Sequence, residues 1–231
     1  MKKIHKTAEF MWLLGIVFIA FGVSLCSKAN LGVSMIAAPA FILSGAFHSV
    51  FSWLTVGVME YIVQGVMLVL MCLIVRRLKW QYLLTFFVGV LYGYTLDLFL
   101  WLWADFAPVA LWSRWLTLLI GDTATAFGVA CFFRTYMPVQ IFELFVSEVA
   151  ERYHFSVNRV KWIYDFSLLA FSGLLAWITG CYQGLGLGTL VTAVINAPII
   201  LFWGKVLDHF TVSTPLLPAL ERKLSTKGKN R

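Results

Sequence analysis

Ala20-Phe21-Gly22-Val23 and Ala126-Phe127-Gly128-Val129 repeat one pattern about 106 residues apart, at the same place in two halves that are each built almost entirely of apolar runs. At the same offset Leu31-Gly32-Val33 falls against Met137-Pro138-Val139. Glu60 then pairs with Asp165, and Thr85 with Thr189, as the offset drifts by one or two residues. Ordered matches in equivalent hydrophobic segments are the mark of an internally duplicated membrane protein.

Composition gives the same class. Of 231 residues 61% are hydrophobic and 16% aromatic, and the charged share is 13%, against roughly 25% in soluble domains. The net charge of +7 would point to nucleic acid in a soluble chain. Here the Lys and Arg residues concentrate at 1–6, 76–79, 134, 152–161 and 221–231, which are loops and tails, so they set membrane orientation and meet anionic lipid instead. Cys26, Cys72, Cys131 and Cys181 have no CxxC or His-spaced partner and read as small apolar fillers, with no metal or redox role expected. Residues 1–30 imitate a signal peptide. Leu25 stands where a cleavage site needs a small residue and the chain stays apolar beyond it, so an uncleaved first helix is expected.

A span across about 30 Å of hydrocarbon takes roughly 20 apolar residues. The stretches near 10–27, 54–75, 82–104, 112–133, 162–180 and 185–203 qualify. A seventh, 31–47, is short and broken by Gly32, Pro39 and Gly45; as a full span it would put Arg76, Arg77 and Lys79 on the side of the poorly charged loops. It is expected to enter and leave by the outer face. Its counterpart, 138–154, is amphipathic, with Phe142, Phe145, Val149 and Tyr153 on one face and Glu143, Ser147 and Glu151 on another. Three spans per repeat turn the second half upside down. The predicted fold is therefore all-α: one polytopic membrane domain over 1–231, six transmembrane helices as two inverted three-helix repeats (about 10–104 and 112–210), re-entrant or interfacial segments, and a basic tail at 211–231. Both termini are expected in the cytoplasm.

Lys28-Ala29-Asn30-Leu31-Gly32-Val33-Ser34, Gly89-Val90-Leu91-Tyr92-Gly93-Tyr94-Thr95-Leu96-Asp97 and Gly184-Leu185-Gly186-Leu187-Gly188-Thr189-Leu190 resemble the YczE/YyaS/YitT-like bacterial integral membrane proteins over about residues 12–210. The resemblance implies a polytopic protein of the bacterial inner membrane, from a family mostly without an assigned substrate. In that family a Pro and an acid commonly follow the Leu-Gly stretch. This chain has Met35 and Ala37 there, and Glu143 keeps the acid in the second half.

Ionisable groups within spans point to function, because a charge at the bilayer centre costs at least about 2.5–3.5 kcal/mol on insertion scales. Glu60, Asp97, Asp122 and Asp165 are the candidates, with Gln64 one turn beyond Glu60 on the same helix face. Glu60 and Asp165 enter from opposite faces as repeat partners, so an inverted pseudo-dyad would bring them towards the midplane. An acidic interior of this kind binds a cation or carries protons, unless each carboxyl is merely protonated and hydrogen-bonded to its neighbours. Asn196-Ala197-Pro198 sets an amide beside a helix breaker, which frees backbone carbonyls for a ligand or simply kinks the helix. The Gly184-to-Thr189 stretch follows no strand and reads as close helix packing rather than a phosphate loop.

An enzyme is not expected. His5, His48, His154 and His209 lie in loops or tails, and no Ser or Cys has a neighbouring base; a lipid-modifying centre at Glu143 or His154 is the one catalytic alternative. The expected function is transport of a small solute, proton-coupled through Glu60 and Asp165. The alternative is a membrane regulator that meets a partner through 138–154. Expected partners are the solute or proton and the lipid bilayer, with no nucleic acid and no cofactor, and homo-oligomerisation is left open.

Overall fold

A computed structural model of the chain describes residues 4–214. Its long elements are helices α1 (Ala8–Ala29), α3 (Val56–Val75), α4 (Trp80–Leu102), α5 (Leu111–Phe132), α7 (Val157–Thr179) and α8 (Leu187–Phe210). Two shorter helices, α2 (Ala38–Phe47) and α6 (Ile141–Tyr153), complete the eight among the described residues. The six long ones are apolar enough and, at about 1.5 Å per residue, long enough to cross a membrane. Helix starts follow local chemistry: Thr7, Thr55 and Ser156 each accept a hydrogen bond from the backbone N–H three residues on, and Pro39 sits in the first turn of α2. Asn30 and Gly180 end α1 and α7 in left-handed geometry.

The bundle is all-helical, and the chain ends add one short strand pair. Strands β1 (Ile4–Thr7) and β2 (Thr211–Thr214) pair in parallel, Ile4 opposite Thr211 and Thr7 opposite Thr214, because both chain ends leave the bundle side by side with unused backbone groups. Residues 211–214 of the expected tail are thus an ordered strand. The rest of the tail, with Lys2 and Lys3, lies outside the described residues. The ion pair Lys79–Glu148 ties the connection between α3 and α4 to α6, and Arg134–Asp208 joins the end of α5 to the last turn of α8.

At the centre α1 and α5 pack antiparallel. Gly15 lies against Gly128 and Gly22 against Gly121, while Cys26 Sγ donates to Leu118 O at 3.6 Å. Small residues let these two backbones meet, which is how helices associate where lipid is as apolar as any side chain. Around this pair α4 packs on α1 and α8 on α5, α3 packs on α6 and α2 on α7, and α2 and α6 each pack on the long helix that follows. The largest contact without a counterpart is that of α3 along α4, with Gly57 against Gly93, whereas α7 does not pack along α8; α4 also touches α6 with no comparable contact of α2 with α8.

The chain breaks between α1 and α2 are satisfied by protein. Gly32, at φ 116°, faces Thr189; Val33 N–H donates to Gly184 O at 2.8 Å and Gly188 N–H to Leu31 O at 2.7 Å. Ala38, Ala40, Phe41 and Ile42 of α2 are fully buried. Non-helical backbone among apolar spans survives only with partners of this kind. The glycines of the 184–189 stretch serve this close approach.

Candidate functional site

Each of the six long helices sends a side chain into one internal cavity of about 130 Å³. Ile19 and Val23 come from α1, Glu60 from α3, Tyr92 from α4, Thr125 and Val129 from α5, Lys161 from α7 and Asn196 from α8. The loop entering α2 adds Ser34, Ile36 and Ala37, and the start of α6 adds Gln140, Phe142 and Glu143. The two short helices therefore direct their N-terminal ends at this space. A larger hollow of about 680 Å³ between α3 and α7, walled by residues such as Ile62, Leu70, Leu168 and Phe171, is almost wholly apolar and suits acyl chains rather than a polar solute.

The lining polar groups are short of partners. Glu60 is 1% exposed and its Oε2 has no hydrogen bond; Gln140, 4% exposed, leaves Nε2 unpaired, and Glu143 has an enclosed, unpaired Oε2. An unmet buried polar atom costs about 1–3 kcal/mol, more when charged, so such a cluster signals a place where something else binds. Burial pushes the Glu143 carboxyl above the usual glutamate range, with the Lys161 ammonium pulling the other way.

Of the residues singled out from the sequence, Glu60, Glu143 and Asn196 meet at this cavity. Asn196 Nδ2 donates to Asp122 Oδ1 at 2.8 Å, which brings the buried Asp122 to its edge. Gln64 is fully buried one turn along α3 from Glu60, with its amide over Gly89 and both polar atoms unpaired. Two carboxylates are committed elsewhere. Asp97 closes the start of α3, accepting from Thr55 Oγ1 at 2.5 Å and Gly57 N–H at 2.8 Å. Asp165 holds the Lys161 ammonium at 2.9 Å one helical turn away and does not line the cavity.

The sequence reading missed Gln140, Ser34, Tyr92 and Lys161. A signal for three of them was present: Ser34 and Gln140 stand at the 106-residue offset of the repeat, as do Ala37 and Glu143, Ile36 and Phe142, Val23 and Val129, and Ile19 and Thr125. Tyr92 and Asn196 stand at the offset that pairs Thr85 with Thr189. Twelve of the nineteen lining residues fall into these six pairs of matched offsets, and the rest, Glu60 and Lys161 among them, have no lining counterpart.

No curated protein and no solved structure matches the chain. A family profile does match, over residues 6–205. The chain belongs to the family described as "Family of unknown function (DUF6198)".

Proposed function

We propose that this protein is a transporter of a small solute in the bacterial inner membrane, working by alternating access between two inverted repeats and coupled to protons. The observation that carries the reading is the cavity wall, twelve of whose nineteen residues fall into six pairs at the repeat offset: ligand sites of inverted-repeat transporters lie between the repeats and face broken helices. The antiparallel exchange of Gly15–Gly128 for Gly22–Gly121 supports it too, since a pseudo-dyad across α1 and α5 converts one contact into the other. So does the larger unmatched contact. A cavity closed on one side by α3 against α4, with α7 parted from α8, is one of the two states that such a dyad interconverts. Residues 31–47 and 138–154 are then the re-entrant segments, with both termini cytoplasmic by the distribution of Lys and Arg. The motif resemblance to YczE/YitT-like proteins accords with this architecture.

Glu60 and Glu143 are the coupling carboxylates in this reading, with Gln140, Tyr92 and Asn196 as solute contacts. Asp165 acts by holding Lys161. The test is uptake by proteoliposomes under an imposed pH gradient against a panel of small metabolites. Solute accumulation that follows the gradient in the wild type and is lost in Glu60→Gln is expected. Silence across the panel would overturn the reading and favour a regulator that binds a partner at α6.

A further inference from the structure

We propose that the solute is a compact organic monocation rich in N–H donors, of the guanidinium class; the inference deepens the transport reading and rests on it. Charge comes first. Two carboxylates, Glu60 and Glu143, enter the cavity with unpaired oxygens, and the lining ammonium, Lys161, is already held by Asp165. The two helix N-termini that would attract an anion are engaged. Ser34 accepts the Ala37 and Ala38 N–H groups, and Glu143 itself stands in the first turn of α6.

Size and wall chemistry narrow the class further. A volume of about 130 Å³ is well below the roughly 300–1,000 Å³ of drug-sized pockets and admits a handful of heavy atoms. A hard metal cation such as Ca²⁺ asks for 6–8 oxygen ligands. Among the described residues no group of three or more His, Cys, Asp or Glu could hold a metal ion, and most of this wall is apolar. The Tyr92 and Phe142 rings with two carboxylates instead match a planar cation that spreads its charge over N–H groups, one edge to each acceptor and its face to a ring. When the cation enters, the proton that burial holds on Glu143 leaves for water, so binding weakens as pH falls. The titratable groups around Glu60 and Glu143 are Tyr92 on α4 and Tyr164, Lys161 and Asp165 on α7.

The test is calorimetric titration of the purified full chain in lipid nanodiscs with guanidinium, with its neutral isostere urea, with tetramethylammonium, which has no N–H, and with potassium. Saturable guanidinium binding, at least about tenfold tighter than for the other three and weaker in acid, is the expected result. Glu143→Gln should cut the affinity at least about tenfold, and Gln140→Ala severalfold, with melting temperatures that report intact folding. Guanidinium that binds no better than urea, or binds equally to Glu143→Gln, overturns the inference. Gradient-driven uptake of a neutral or anionic solute from the panel would overturn the cation class while leaving transport standing; no uptake of any solute overturns both.

Discussion

Replacing Gly22 by Ala puts one methyl group into the close crossing of α1 and α5. A Cβ there would lie 2.6 Å from the Thr125 backbone nitrogen, and closer still to Gly121 O and Thr125 Oγ1, where ordinary contacts begin near 3.4 Å. The obstacle is mostly backbone, so α1 and α5 must separate by about 0.8 Å, and a gap of that size forfeits a quarter to a half of each dispersion contact along the seam. Overpacking of this kind costs about 1–3 kcal/mol. Gly173→Ala is the control: nothing lies within 4 Å of its Cβ, so a Gly-to-Ala change in helix α7 should gain about 0.4–1 kcal/mol. At about 2–4 °C per kcal/mol for a chain of this size, thermal unfolding in detergent at one scan rate should place the two variants several degrees apart on opposite sides of the wild type. Gly128→Ala, whose Cβ would meet Gly15 O at 2.7 Å, should match Gly22→Ala. A Gly22→Ala protein as stable as the wild type would refute the crossing and the dyad drawn through it.

Asp97→Ala removes both acceptors that start α3 and should cost about 1.5–3 kcal/mol, with Asp97→Asn losing less; thermal unfolding reads the difference. Asn196→Ala strips the last partner from Asp122, whose Oδ2 is already unpaired, and should cost about 1–3 kcal/mol. Most of that loss should vanish in an Asp122→Ala background, which a double-mutant cycle measures. Because the folded Glu143 carboxyl binds its proton more tightly than an unfolded glutamate, stability falls as pH rises from the ordinary carboxyl range through the raised value. Glu143→Gln should therefore match the wild type at about pH 4 and melt higher at about pH 8. A constant offset across that range would contradict the raised carboxyl.

The spans were legible in the sequence because hydropathy and length decide them; most helix limits lie within a few residues of the expected ones, but α2 starts at Ala38 rather than 31 and α8 runs on to Phe210 rather than 203. The matching tetrapeptides around Gly22 and Gly128 coincide with the α1–α5 crossing, where two backbones meet and only small residues fit. Partner choice was harder to read. The charge pattern alone puts Lys161 in a loop and leaves Asp165 unpaired, yet α7 starts at Val157 and carries both residues on one face. Asp97 looked like a buried charge, and only the fold shows that it lies at the start of another helix. Gln140 was passed over because a neutral amide raises no flag in an apolar chain, although the repeat offset from Ser34 marks its position. The strand pair at the termini had no signal in the sequence, since four-residue strands carry too little pattern.

Alternating access is tested most directly by paired distances in one sample. Spin labels on α3 and α4 in one protein, and on α7 and α8 in another, measured by pulsed dipolar spectroscopy in liposomes at acid and alkaline pH, follow the largest contact that differs between the halves. The account expects two populations in each protein, with α3 parting from α4 under the conditions in which α7 closes on α8. A single unchanging distance for both pairs, across pH and added guanidinium, would contradict it.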